Sequence, residues 1–323
     1  MTSRAGVRTD GSATDPVQWL LTSREPAIRH LARRDLLGED AAADSEDILG
    51  GSIVAALLSG QRQDGGFGCH PYAKWGGSFW RVISLVELGI PSGESRTVAA
   101  ARDALTWVTG PARSRSPQLI NGRVRQHAAG EGFMLAVLCR LGLAGEPVAA
   151  DLADRLVTWQ WPDGGWNCDP RPAASRSSFH ESFAPAWGLW EYSVATNDGA
   201  ARAAAGRTAE LLLSHRLVRS RRTGEVVHPS WTKLHWPAYW HYDVLAGLSL
   251  LARVGALGDE RAGEALDLLE QRRRPDGRWE PGGSWWKPPG SNGSNVEVVD
   301  WGRRAPNEMI TLQALRVQRA AAG

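Results

Sequence analysis

Two short runs hold side chains whose types do chemistry. In SSFHESF, His180 and Glu181 stand side by side, and in WHYD, His241 lies just ahead of Asp243. An imidazole beside a carboxylate is the material of general acid–base catalysis, since burial raises a carboxyl pKa. On this reading Asp243 is the acid or base and His241 orients it. His180 and Glu181 face it from a neighbouring helix start. Each residue also has an ordinary explanation: Ser78 and Ser178 are good N-caps, Glu in a first turn favours the helix dipole, and Asp243 near a helix start is explained as a dipole partner alone. Rings crowd the same places: Trp75, Phe79, Trp80, Trp236, Tyr239, Trp240 and Tyr242. Such rings shape an apolar ligand and stabilise cationic charge on their π-faces, each worth roughly 0.5–2 kcal/mol. Lys74, Arg81, His127, Glu131, Asn307 and Glu308 fall at similar positions, at or near the start of an apolar, helix-periodic run.

The elements that must position these residues are helices. Three related turns punctuate the chain: QRQDGGFG (61–68), WQWPDGGWNCD (159–169) and the worn copy QRRRPDGRWE (271–280). Each ends one apolar run and precedes another, the mark of a helical repeat of about fifty residues. Asp64, Asp163 and Asp276 each precede a glycine that accepts the turn, so they are expected to be structural. The Gln or Arg ahead of them is expected to serve free carbonyls at its helix end, and the following ring to staple the turn to the next unit. Helices starting near Asp47, Glu94, Pro147, Ala200 and Glu260 have a polar face, whereas those starting near Ser78, Gly130, Ser178, Trp240 and Asn307 are apolar nearly all round. The second set must be buried. Pro185 lies inside one of these and predicts a kink or a late start. With an N-terminal pair, six outer and six inner helices result, and the expected fold is an all-α (α/α)6 toroid or barrel of six helical hairpins. Residues 1–14 are expected to form a disordered tail and 15–323 a single barrel domain. An open solenoid would instead need polar capping repeats. The loops 109–127, 219–236 and 281–304 are long enough to act as lids or gates.

Composition bounds the function classes. Net charge is +2, which gives no argument for nucleic acid or for a polybasic membrane contact. Three cysteines (Cys69, Cys139, Cys168) lack disulfide-framework spacing, which favours a reducing compartment and a cytoplasmic location. The start of the chain does not read as a signal peptide, and no apolar run is long enough for a transmembrane segment. The sequence leaves oligomeric state open. There are 16 Trp against 4 Tyr and 5 Phe, a bias that suits a ring-lined pocket, with a Trp-rich core as the plain alternative.

The DGGF and DGGW turns, the Gln-bearing helix ends, the alternating helices and the Trp content resemble the terpenoid cyclase and protein prenyltransferase superfamily. Single-barrel squalene-cyclase-like proteins are the nearest likeness, which spans about Asp15 to Ala320. It implies a terpene-cyclase-like enzyme, an isomerase or lyase, acting on a small hydrophobic, isoprenoid-type substrate in an aromatic-lined cavity. The protonating cyclases carry a D-x-D-D run at an inner-helix start; this chain has none, and WHYD keeps only its last acid, Asp243. The D-D-x-x-D magnesium motif is absent too. Protein prenyltransferases hold zinc with Asp, Cys and His, and His180 matches the position of that His. Where their D-x-C pair would stand the chain reads HAAGEGF, with His127 and Glu131 as the only ligand types. Cys168 and Asp169, in the loop before His180, offer the remainder. Zinc is therefore the candidate cofactor, with Cys168 and His180 as candidate ligands. A zinc-dependent prenyltransferase-like transferase and a non-catalytic carrier of a hydrophobic ligand are the competing readings.

Overall fold

Helix α1 (Pro16–Leu21) begins where the Asp15 carboxylate accepts from Val17 N at 3.0 Å, and α2 (Pro26–Ala32) also opens on a proline, whose missing N–H is no loss there. The structure is a computed structural model that describes residues 15–40 and 45–323; the expected tail at 1–14 lies outside the described residues. A π-helical turn, Arg33–Leu37, continues α2 and stops at Gly38. The single helix expected from Asp47 to Gln61 is instead two, α3 (Ser45–Ile48) and α4 (Ser52–Leu58). Gly50 and Gly51 break it, and Glu25 accepts from Ser52 Oγ and Ile53 N to start the second piece.

Helix α5 (Ser78–Glu87) is buried at every position from Ser78 to Val86, whereas α6 (Ser95–Val108) buries one face and is capped by Glu94. The expected basic loop over 109–126 contains a short helix, α7 (Pro111–Ser114), and an antiparallel hairpin of β1 (Gln118–Ile120) and β2 (Arg123–Arg125). Asn121 and Gly122, both at positive φ, make its turn. The alternation then continues with buried α8 (Ala129–Arg140), one-faced α9 (Pro147–Trp159), buried α10 (Phe179–Thr196) and α11 (Gly199–Ser214). Last come α12 (Val244–Val254), α13 (Gly263–Gln271) and α14 (Glu308–Ala322). The molecule is mostly helical, with little strand among the described residues.

Neighbours pack in order: α5 against α8, α8 against α10, α10 against α12, α12 against α14, and α14 against α2. The closest approach is between α8 and α10. A Cβ on Gly132 would lie 2.3 Å from Pro185 N, and one on Gly188 would lie 2.3 Å from Gly132 O. Pro185 does not delay α10, which runs unbroken from Phe179; the glycine opposite gives its ring and backbone room.

The DG turns are structural, as their residue types suggested. Asp64 accepts from Gly66 N at 2.9 Å, and Asp163 from Ser177 N at 2.8 Å. The glutamines bridge rather than cap their own helix. Gln61 Nε2 donates to Gly65 O (3.2 Å) and Arg96 O (2.7 Å), and Gln160 Nε2 to Gly164 O and Ala204 O (both 2.9 Å). Each thus ties its turn to the next outer helix. The rings act in both directions. Trp166 Nε1 donates back to Leu156 O (3.0 Å) and Trp279 Nε1 to Leu269 O (2.8 Å), while their backbone N–H groups donate to Ser182 Oγ and Thr311 Oγ1 on the following buried helices.

Candidate functional site

The starts of α5, α8 and α10 meet beneath the 109–127 and 231–243 loops around a cavity of about 470 Å³. Its walls are rings: Tyr72, Phe79, Trp80, Trp107, Phe133 and Trp240. At its edge three chemically active side chains converge. His127 Nδ1 lies 3.0 Å from Glu181 Oε1, Ala129 N donates to Glu181 Oε2 at 3.2 Å, and Cys168 Sγ falls within 4.8 Å of both partners' ligand atoms.

The position of His127 follows from a buried polar shelf. Glu131, 1% exposed on α8, accepts from Arg113 Nη2 at 2.5 Å and Gln126 Nε2 at 3.3 Å. The same Arg113 nitrogen donates to His127 O at 2.8 Å, and Gln126 Oε1 accepts from His127 N at 3.1 Å. A buried carboxylate needs such partners, and here the partners also fix the backbone of the imidazole. Burial raises the Glu131 carboxyl, with Arg113 opposing. Hydrogen bonds that the protonated His127 ring donates to Cys168 and Glu181 raise the imidazole above its ordinary value; its side chain is 70% exposed, so water screens the effect.

The donor set fits a metal. One imidazole, one thiol and one carboxylate have their ligand atoms within 4.8 Å of one another, and zinc accepts all three ligand types. The expected pair Cys168 and His180 is placed differently. His180 lines the same cavity, but its Nδ1 accepts from Tyr242 N at 2.8 Å, and Cys168 is grouped with His127 and Glu181. Asp169 takes no part, because its carboxylate is held by Arg171 at 2.6–3.0 Å.

Asp243 also has other partners than expected. It caps α12 by accepting from Ala246 N (2.9 Å), and it accepts from His235 N (2.9 Å) and meets His235 Nδ1 (3.0 Å), with both side chains buried. His241 is not its partner. That ring stacks between Trp240 (3.8 Å) and Trp285 (4.0 Å), and Trp285 in turn stacks on His235 at 4.6 Å. Burial, with His180, Lys74 and His235 nearby, pulls His241 down to about 3. Burial likewise lowers His180.

The expected substrate rings divide three ways. Phe79, Trp80 and Trp240 line the 470 Å³ cavity. Trp236 and Tyr239 line a smaller cavity of about 90 Å³, together with Asp243, Phe133 and Trp187. Trp75 and Tyr242 are core: Trp75 stacks on Tyr239 at 3.9 Å, and Tyr242 Oη donates to Leu217 O at 2.9 Å. Arg113, Gln126 and His235 were not singled out by the sequence reading. The i, i+8 pair His235 and Asp243 flanking an aromatic run is the one signal that marks His235; nothing local marks the others.

No family model matches this chain, and no curated protein matches it. Among solved structures, a protein from Actinoplanes is 17% identical with TM-score 0.42, covering 93% of this chain and 90% of its own. The type II terpene cyclase MstE from Scytonema, in its apo form, is 12% identical with TM-score 0.29, covering 83% of this chain and 96% of its own. Both scores are under 0.5, and neither likeness carries an inference about fold or activity.

Proposed function

We propose that the protein is a terpene-cyclase-like enzyme in the broad sense: it takes a hydrophobic, isoprenoid-type substrate into the 470 Å³ cavity and transforms it at His127, Cys168 and Glu181. The observation that carries this reading is the convergence of those three side chains on the edge of a ring-walled cavity. The volume falls within the range of small-molecule sites. Tyr72, Phe79, Trp80, Trp107, Phe133 and Trp240 exclude water and offer π-faces to developing cationic charge. Lys74 and Arg113, both lining the cavity, supply positive charge to an anionic substrate group. With no metal, Glu181 holds the imidazole and His127 gives or accepts the proton at the reacting atom; with a metal, the two would serve as its ligands instead. Zinc, when bound, would supply Lewis-acid character and hold Cys168 as thiolate. On this reading the chain is a transferase, lyase or isomerase according to what accepts the activated substrate. The supporting scaffold is a single domain over 15–323 whose six hairpins close as an (α/α)6 ring. Supports for closure are α14 lying against both α2 and α12, and Gln313 Nε2 reaching Glu87 of α5 at 3.3 Å.

A second reading places acid–base chemistry at Asp243. Its support is the buried Asp243–His235 pair beside the smaller apolar cavity. That cavity, at about 90 Å³, holds much less than the outer one, so the first reading stands ahead of it. The deciding experiment incubates the protein with isoprenoid alcohols, isoprenoid diphosphates and squalene, and compares wild type with Cys168→Ala and Asp243→Asn. Loss of turnover in Cys168→Ala alone supports the first reading, and loss in Asp243→Asn alone supports the second. Saturable binding of a substrate with no turnover in any protein makes it a carrier.

A further inference from the structure

At the other end of the buried helices lies a charged cavity of about 330 Å³ that the proposed reaction does not use. Arg34, Arg140, Arg253 and Arg316 bring four guanidinium groups to it, against Asp35 and Glu87 in its wall and Glu191 behind Arg140. Three of the four have close partners. Arg140 meets Glu191 at 2.6 Å, Arg34 meets Asp35 at 2.6 Å, and Arg316 also pairs with Asp35. Arg253 does not. Its ion-pair distances to Glu87 and Glu191 are 3.7 and 3.8 Å, and among the described residues its hydrogen bond is a 3.4 Å contact from Nη1 to Ser249 O on its own helix. The guanidinium sits over Trp187, 5.2 Å from the ring centroid. A guanidinium carries five donors in a fixed fork, and Arg253, whose side chain is 23% exposed, lines this cavity with long ion-pair contacts only.

Arg253 also lines the 90 Å³ apolar cavity, and the two spaces share Glu87, Ser249, Arg253 and Gln313 in their walls. On the apolar side, the buried Trp236 Nε1 and Tyr239 Oη have no hydrogen-bond partner. One end of the combined space therefore has donors and an excess of one positive charge; the other is small and ring-walled. We propose that this space is a second binding site, for a compact ligand with an anionic head, carboxylate or phosphate, on Arg253 and a small apolar end among Phe183, Trp187 and Trp236. The apolar end is a single ring or a short branched chain, because the inner cavity admits no more. Charge-assisted bidentate contacts make Arg253 the selecting residue. Glu87 opposes the head group from the facing helix.

The test titrates the full-length protein by calorimetry with 3-methylbutyl phosphate, 4-methylpentanoate, 3-methylbutanol and inorganic phosphate. At least one of the two branched anions is expected to bind with one-to-one stoichiometry and at least about tenfold more tightly than the alcohol, a factor that a single charge-assisted contact supplies. The tighter of the two identifies the head group, and inorganic phosphate is expected to compete with it. Arg253→Gln should bring anion and alcohol to within about threefold. Glu87→Gln, which removes an opposing charge and leaves Arg253 in place, should strengthen anion binding, and it keeps the test informative if Arg253→Gln fails to fold. Cys168→Ala should leave the selectivity intact, so this site and the catalytic reading fail separately. Equal affinity for alcohol and anions, no anion binding, or weaker anion binding in folded Glu87→Gln overturns the proposal.

Discussion

His127 shows how little a residue's local sequence says about its task. HAAGEGF has a histidine at a helix start and nothing else to distinguish it; Glu181 comes from α10 and Cys168 from the loop between. The three are joined by a helix pairing, α8 on α10, that brings residues fifty positions apart into hydrogen-bond range. If they hold zinc, purified protein carries close to one equivalent by elemental analysis, and Cys168→Ala loses it; full activity in metal-free protein refutes the site. His241 gives a pH prediction at the same scale. Its folded pKa, about 3, lies below the ordinary 6.5, so the folded state binds fewer protons than the unfolded one between those values. Its contribution to stability is fully present above pH 6.5 and is lost as pH falls toward 3. Denaturant melts of His241→Phe are expected to show a shallower loss of stability than wild type over that window. An unchanged slope would mean the imidazole is not held neutral.

At the scale of elements, the α8–α10 contact is close and depends on absent side chains. A methyl group on Gly188 would stand 2.3 Å from Gly132 O, inside any van der Waals distance, and must push one helix away. Gly188→Ala is expected to destabilise by about 1–3 kcal/mol, or more if the backbone cannot shift, and to loosen the His127–Glu181 contact that the pairing creates. Thermal melts with activity measured on the same samples test both. The turn glutamines make a milder case: Gln160→Leu removes bonds to Gly164 O and Ala204 O, a loss of about 1–2 kcal/mol. A change of under a few tenths would show that the bridge between turn and outer helix is dispensable.

For the whole molecule, the long segment between α13 and α14 is folded against the body rather than free. Glu297 within it is 3% exposed, and burial raises its carboxyl to about 7. The folded state then binds more protons than the unfolded one between pH 4.5 and about 7. The associated stability is present below pH 4.5 and is lost as pH rises through 7. Glu297→Gln, which can keep the acceptor for Val298 N, is expected to flatten that part of the stability–pH curve. A slope as steep as wild type's would place the charge elsewhere.

The sequence by itself determined what depends on neighbours along the chain. Apolar periodicity marked α5, α8, α10, α12 and α14, because a helix buried on most sides carries little polar face; α14 is buried over Met309–Ala314 and at Val317, and exposes Arg319. The Asp-Gly pairs marked the turns, because few residues other than glycine take positive φ cheaply. Where the sequence reading fell short locally, the signal was present but unweighted: Gly50–Gly51 divides α3 from α4, and Asn121–Gly122 makes the hairpin of β1 and β2. Tertiary structure alone decided the partners. Asp243 bonds His235 rather than its near neighbour His241, since the 235–243 loop folds back on the start of α12. His180 is engaged by Tyr242 N, and Cys168 falls beside His127 and Glu181. Side chains on separate elements meet only where the backbones pack. The His127–Glu181 distance follows from α8 lying on α10 at glycines, a contact with no periodic trace in the sequence.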